Sequence, residues 1–399
     1  MTIRPDADRL RDTLAALVAT DSVNPTLVPG GAGEAEIAEV TRARMREAGL
    51  DVATFEPAPG RPSVVGRLRG TGDGPTLMLN AHYDTVGVEG MEAPFVPRIE
   101  DGRLYGRGAY DMKGALAACI ETAAALAESG ATRGGVLLVA GVADEEYASL
   151  GTADLVERRA RGELDFEACV VTEPTSLRLC VAHRGFTWIR VTTAGRAAHG
   201  SRYEEGVDAN LRMGRVLARL EELLGEHQAG PGHPLLGPPS LHAARLAGGV
   251  GLSTYAPECT LEVERRTVPP ETLADVEREI SGLLDALRAE DPSFEASWSV
   301  TFHRDTFETS PEAPIARAAA RAAEAVLGES PTVVGDAPWM DSALTSAAGV
   351  DTIVFGPHGG GAHADVEWVD LASCLRLAEI LGGTALRYWE DGTAADGPR

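Results

Sequence analysis

The chain has 399 residues, 44% of them hydrophobic and 24% charged, which is ordinary for a globular protein and long enough for two domains. Its net charge of −24 repels phosphates, so neither nucleic acids nor anionic membranes are expected partners. No apolar run reaches the ~20 residues of a transmembrane helix. The N-terminal segment lacks a signal-peptide core, and the odd set of five cysteines favours reduced thiols, which together predict a cytoplasmic location.

The first 180 residues alternate between strand-like and helix-like segments. Short apolar runs, typical of strands buried on both faces, occur at residues 63–68, 76–80, 136–142 and 168–172. The alanine-rich stretch 113–128 is predicted to be a helix that stops at Gly130. This alternation predicts an α/β domain with a mostly parallel sheet and helices on both faces.

A different pattern follows, in the order strand, helix, strand, strand, helix, strand. The segments lie at residues 185–193, 207–224, 242–247, 259–263, 273–287 and 296–302. This order is typical of a ferredoxin-like α+β module. Since helix 314–327, strand 351–355 and helix 371–386 then restore the α/β pattern, we expect an inserted domain at 184–307 within a catalytic domain formed by 1–183 and 308–399.

Potential metal ligands follow the first buried strands. His82 and Asp84 come directly after strand 76–80 and face the same side, because strand side chains alternate. Open α/β sheets bind their ligands at this end of the strands. A histidine beside a carboxylate is a natural metal ligand with an orienting partner, although a hydrogen-bonded loop histidine is the alternative.

Further acids and histidines occur in comparable positions. Asp111 lies in a glycine-rich turn that enters a helix, where a carboxylate can bridge two cations. Residues 144–146 (Asp-Glu-Glu) follow strand 136–142, and Glu173 follows strand 168–172. The loop after the last strand carries His358 and His363. A solvated acidic face would explain residues 144–146 alone, but the combined set suits two divalent ions of the zinc, cobalt or manganese kind.

Five motifs, in order along the chain, carry a resemblance to a known family. They are residues 82–86 (His-Tyr-Asp-Thr-Val), 106–114 (with Gly-Arg-Gly and Asp-Met-Lys-Gly), 144–146, 198–201 (Ala-His-Gly-Ser) and 362–364 (Ala-His-Ala). The chain resembles the dinuclear zinc hydrolases that include aminoacylase, acetylornithine deacetylase, succinyl-diaminopimelate desuccinylase and carboxypeptidase G. The resemblance runs from about residue 8 to residue 387 and implies a zinc-exopeptidase-like catalytic domain with an inserted lid and dimerisation domain.

The resemblance also implies roles for individual residues of the catalytic domain. One ion would be held by His82 and Glu173, the other by Glu146 and His363, with Asp111 bridging them. Asp84 would orient His82, and Glu145 would be the general base for a metal-activated water. The two ions would be zinc, with cobalt or manganese as alternatives, and His358 could compete with His363 as a ligand.

In the inserted domain the resemblance implies a second set of roles. His199 would stabilise the oxyanion, in many members from the partner subunit of a homodimer formed through this domain. Arg266 would bind the substrate carboxylate, with a structural ion pair at a strand end as the alternative. The expected reaction is amide cleavage in a small N-acyl amino acid. A dipeptidase or carboxypeptidase G-like exopeptidase is the alternative, and a non-catalytic metal-binding relative is a reading of a different class.

Overall fold

The computed structural model describes residues 3–71, 74–130 and 134–395, the last four by backbone alone. The chain forms two compact units. The first comprises Met1–Val181, Thr309–Val334 and Met340–Arg399, and the second comprises Ala182–Glu308 with Gly335–Trp339. Among the described residues, no helix combines the length and apolar character needed to cross a membrane.

The helices and strands are numbered in chain order. Those up to residue 183 are α1 (Ala7–Val18), α2 (Ala35–Glu47), β1 (Asp51–Phe55), β2 (Ser63–Arg69), β3 (Thr76–His82), β4 (Arg98–Glu100), β5 (Arg103–Tyr105), a π-helical turn (Ala109–Lys113), α3 (Gly114–Ser129), β6 (Val136–Val142), α4 (Leu150–Ala160), β7 (Ala168–Val171) and β8 (Leu179–His183).

The next group lies in the second unit and consists of β9 (Gly185–Ala194), α5 (Ala209–Ala229), β10 (Ser240–Gly248), β11 (Glu258–Thr267), α6 (Leu273–Glu290), β12 (Ala296–Arg304) and β13 (Phe307–Glu308). The remaining elements are α7 (Pro314–Leu327), β14 (Val333–Asp336), α8 (Ser342–Ala347), β15 (Asp351–Val354), β16 (Gly359–Gly360), β17 (Trp368–Asp370) and α9 (Leu371–Ala395).

Local sequence accounts for several element ends. The Asp6 carboxylate accepts the main-chain N–H groups of Asp8 and Arg9, both at 2.9 Å, and so caps α1. Helix α7 has Pro314 in its first turn and stops at Gly328 with φ +82°, which a glycine adopts without strain. Helix α3 likewise stops at Gly130. These signals are readable without tertiary information.

The large sheet has a parallel centre. The strand order is β1-β2-β6-β3-β7-β15-β8-β13, with β14 paired to β8. Strands β6, β3, β7 and β15 are parallel neighbours, whereas β1, β2, β8 and β13 pair antiparallel at the two sides. Every residue of β3 is buried, as expected for a strand that helices cover on both faces. The α/β prediction is confirmed, with a mixed rather than wholly parallel sheet.

The second unit has its own sheet and core. Its strand order, β10-β11-β9-β12, joined by α5 and α6, is that of the ferredoxin-like module expected from the sequence. Apolar side chains of β9 and β11, including Ile189 and Val263, pack with those of α5 and α6, including Val216 and Ile280. This core is a cluster separate from that of the first unit.

Candidate metal centre

Parallel pairing brings the ends of four strands to one edge of the large sheet. Strand β3 ends at His82, β6 is followed by residues 144–146, β7 is followed by Glu173, and the segment after β15 leads to the loop that contains His363. Because these four strands are adjacent and parallel, their carboxyl ends meet. The pairing of these buried strands therefore brings together residues that are far apart in sequence.

Two groups of potential ligands form there, and they share one residue. His82, Asp111 and Glu173 each offer an atom within 4.8 Å of the others, and so do Asp111, Glu146 and His363. Oδ1 of Asp111 lies 3.1 Å from His82 Nε2, while its Oδ2 lies 3.3 Å from His363 Nε2. The two oxygens of Asp111 thus face the two groups, which is the geometry of a bridging carboxylate.

The donor chemistry of both groups fits divalent cations. Each group offers one imidazole nitrogen and carboxylate oxygens, the ligands that zinc, cobalt and manganese accept. Glu173 Oε1 lies 3.6 Å from His82 Nε2, and Glu146 Oε2 lies 3.2 Å from His363 Nε2. Both carboxylates are largely buried, where like charges without a cation would be costly.

The pKa values of these side chains reflect the close approach of several buried carboxyl groups. Burial raises the pKa of Glu173 well above its usual value, and burial likewise raises the pKa of Glu146. Burial also opposes ionisation of Asp111, but hydrogen bonds to His363 and His82 outweigh it and lower its pKa. Hydrogen bonds to Asp111 and Glu146 raise the pKa of His363 to about 10.

Glu145 lies beside the two groups and belongs to neither. Its carboxylate is 4.0 Å from His82 Nε2. Burial, together with the negative charge of Glu173, raises the pKa of Glu145 well above its usual value. A carboxylate with a raised pKa, close to but outside a ligand set, is what a proton-accepting base requires.

Asp84 contacts more than the histidine it was expected to orient. His82 Nδ1 forms its hydrogen bond with the main-chain oxygen of Asp84 at 3.0 Å, and the Asp84 carboxylate is 3.6 Å away. That carboxylate accepts the main-chain N–H groups of Glu145 at 3.1 Å and Glu146 at 3.2 Å. Asp84 therefore connects β3 to the two glutamates as well as to His82.

The second histidine of the last loop is placed differently from His363. His358 Nδ1 lies 3.2 Å from the hydroxyl of Ser176, and its ring packs edge-on against Trp368. Within the described residues it belongs to no group of potential ligands. The structure therefore brings His363, rather than His358, to Asp111 and Glu146.

Glu367 is a site residue that the sequence does not reveal. Its carboxylate accepts the main-chain N–H groups of Gly108, Tyr110 and Asp111 at 2.9–3.0 Å, and Nη1 of Arg107 at 2.8 Å. The turn that presents Asp111 is thereby held at three main-chain N–H groups. No motif marks Glu367, because its partners lie about 260 residues away.

The second unit carries the two other predicted site residues. His199 is exposed, and its Nδ1 lies 2.8 Å from the hydroxyl of Ser201. Arg266 donates from Nε to Glu264 at 2.5 Å and lies over the ring of Phe186 at 4.9 Å. Within the described residues its terminal nitrogens have no hydrogen-bond partner in the protein, so they could bind an anion.

A third group of potential ligands also lies in the second unit. It consists of His227, Glu271 and Glu279. The guanidinium of Arg265 already pairs with both acids, at 2.5 Å and 3.0 Å. Because this buried cation already pairs with both carboxylates, we interpret the group as a structural ion-pair cluster.

Comparison with known proteins gives a consistent picture. The profile described as peptidase family M20/M25/M40 matches residues 78–387. An acetylornithine deacetylase from Myxococcus xanthus is 29% identical over 392 residues, covering 95% of this chain and 97% of the relative. An N-acetyl-L-citrulline deacetylase from Xanthomonas campestris is 29% identical over 386 residues, covering 92% and 94%. The crystal structure of a dinuclear metal-binding M20 peptidase from Bacillus subtilis has a TM-score of 0.74 at 16% identity, covering 96% of this chain and 98% of that one.

Proposed function

Since this chain belongs to peptidase family M20/M25/M40 and is a metal-dependent hydrolase of amide bonds, we propose that it deacylates a small N-acyl amino acid. The observation that carries the proposal is the pair of ligand groups sharing Asp111, with the carboxylate of Glu145 beside them. Two deacetylases of acetylated amino acids resemble the chain over nearly its whole length, which supports a deacylase over a peptidase.

The two groups define which residues would hold the ions. His82 and Glu173 would bind one cation, Glu146 and His363 the other, and Asp111 both. We propose zinc as the metal, with cobalt and manganese as alternatives, because imidazole and carboxylate ligands accept all three. Bound divalent ions of this kind polarise a carbonyl oxygen and lower the pKa of water.

The protein residues supply the proton transfers and the positioning. Glu145 accepts a proton from the attacking water and returns it to the leaving amine, a double role that suits its raised pKa. His199 donates a hydrogen bond to the developing oxyanion. Arg266 binds the substrate carboxylate through its terminal nitrogens. Asp84 keeps His82 and the two glutamates in register.

We further propose that residues 184–307, which lie within the second unit, form the lid and dimerisation domain. Strand β10 is an edge strand whose residues 242–248 are all exposed. Leu246, Val250 and Leu252 on and after it are exposed apolar side chains. A long, unprotected edge strand can pair with a strand of another chain. A β10 strand from a second copy would form hydrogen bonds with the exposed edge of this one. Light scattering should give a dimer for the wild type and a monomer for Leu246→Asp; a monomeric wild type would refute this.

A cytoplasmic location belongs to the same proposal. All five cysteines lie within the described residues, are buried and form no disulfide. Thiols that remain reduced are the norm in the cytoplasm.

A substrate panel tests the reaction. Acetyl, succinyl, formyl and glutamyl derivatives of several amino acids would be compared with dipeptides, each with zinc, cobalt or manganese. The proposal expects amide hydrolysis of an acyl amino acid that a chelator abolishes and metal restores. Faster turnover of dipeptides would favour the exopeptidase alternative, and absence of any hydrolysis by the metal-loaded protein would overturn both.

A further inference from the structure

A buried chain of charged and polar groups lies directly behind the two glutamates. Arg61 donates Nε and Nη2 to the two oxygens of Glu34, both at 2.6 Å, and Nη2 also to Asp144 Oδ1 at 2.5 Å. The Asn24 amide bridges Asp144 Oδ1 at 3.0 Å and Asp84 Oδ2 at 2.8 Å. All five side chains are at least nine-tenths buried. The catalytic steps described above use neither Arg61 nor Glu34.

Asp144, which accepts from both Arg61 and Asn24, has an uncommon backbone conformation. Its φ is +68°, in the left-handed region that side-chain-bearing residues rarely adopt, although aspartate tolerates it better than most. Its main-chain oxygen accepts Ala148 N at 3.0 Å, so Asp144 starts a tight turn. Glu145 is the next residue. The direction of the Glu145 main chain is therefore set by the conformation of Asp144.

We propose that Arg61, clamped by Glu34, is a positioning residue for Glu145, because it holds Asp144 in the left-handed conformation from which the Glu145 main chain departs. Asp84 fixes the same segment from the other side through the N–H groups of Glu145 and Glu146. A bidentate fork on Glu34 leaves Arg61 a single orientation. The inference rests on the proposed function only in that Glu145 is the base.

The first test is a kinetic comparison of Arg61→Met with the wild type on the best substrate of the panel. A displacement of the base by about 1 Å predicts a loss of ~10–100-fold in kcat, with KM nearly unchanged and both metal ions retained. Arg61→Lys keeps the charge without the fork and should lose less. Arg9→Met is a control, since Arg9 also pairs with a buried acid, Glu121, which belongs to neither ligand group; its kcat should equal that of the wild type.

The second test asks whether Arg61 acts on Glu145 through Asp144. Glycine adopts a positive φ freely, so Asp144→Gly can keep the turn while it removes the carboxylate that Arg61 holds. Adding Arg61→Met in the D144G background should then cost less than ~3-fold in kcat, a coupling that a double-mutant cycle measures directly. If Arg61→Met does not fold, the pair Glu34→Met with Arg61→Met removes the Arg61–Glu34 ion pair as a unit and should show the same kcat loss.

Two results would overturn the inference. One is an unchanged kcat for Arg61→Met with both ions bound; the other is an equal kcat loss in the wild-type and D144G backgrounds. Either leaves the proposed function intact, because that depends on the wild type hydrolysing the panel. If the wild-type protein hydrolyses no substrate of the panel, the proposed function is wrong instead.

Discussion

Replacing Glu367 by glutamine tests whether the turn carrying Asp111 depends on a single buried carboxylate. One oxygen of Glu367 accepts the N–H groups of Tyr110 and Asp111, and the other accepts Gly108 N–H and the Arg107 guanidinium. Glutamine offers one oxygen and one NH₂ group. Whichever way it is oriented, two donors of the protein would then face a donor.

The magnitude follows from these contacts. Hydrogen bonds to a charged group contribute about 1.5–3 kcal/mol each, so losing two predicts a cost of about 3–6 kcal/mol. With the acid neutralised, the buried guanidinium of Arg107 also loses its counter-ion. We expect the cost to divide between the free energy of unfolding and metal affinity, because Asp111 belongs to both groups of potential ligands.

Urea unfolding and metal analysis of dialysed protein measure the two parts. Glu39→Gln is the control, since Glu39 is exposed and forms an ion pair with Arg42 on the same helix, and its unfolding free energy should change by less than about 0.5 kcal/mol. A change below about 1 kcal/mol in Glu367→Gln, with metal content unaltered, would refute the view that Glu367 holds the Asp111 turn.

Three further predictions follow from the site. Glu145→Gln should lower kcat by ~10²–10⁴-fold, the usual contribution of a general base, with both ions retained; near-normal turnover would show that another group takes the proton. Asp111→Asn should release both ions on dialysis, as read by metal analysis, whereas loss of one ion would contradict a bridge. Because the pKa of His363 is raised to about 10 in the metal-free site, it carries a proton at neutral pH that a cation must displace. Zinc titration calorimetry in buffers of different ionisation enthalpy should therefore detect proton release, and apparent affinity should rise with pH up to about 10; zero release would be inconsistent with a protonated His363.

The site residues differ in how far the sequence could identify them. His82, Glu146, Glu173 and His363 follow buried strands and are of metal-binding types, so pattern and residue chemistry pointed to them. Glu367 had no such signal. It is a lone acid whose partners lie about 260 positions earlier in the chain, and only the packing of the two segments creates its role.

The same contrast applies to Asp84 and Arg61. Asp84 was expected to act on His82 because it is two residues away, but its bonds to the main chain of Glu145 and Glu146 need β3 and β6 to be neighbours. The two hydrogen bonds between Arg61 and Glu34 join positions 27 residues apart in the chain. No sequence pattern pairs these two positions.

Local chemistry thus determined the α/β order, the ferredoxin-like insertion and the types of the metal ligands, because helix stops, strand periodicity and donor atoms are properties of short segments. The tertiary structure decided which oxygen of Asp111 faces which histidine, that His363 rather than His358 reaches the ligands, and which buried groups hold the turns in place. Those outcomes depend on distances between segments far apart in the chain, and only the folded strand order sets such distances.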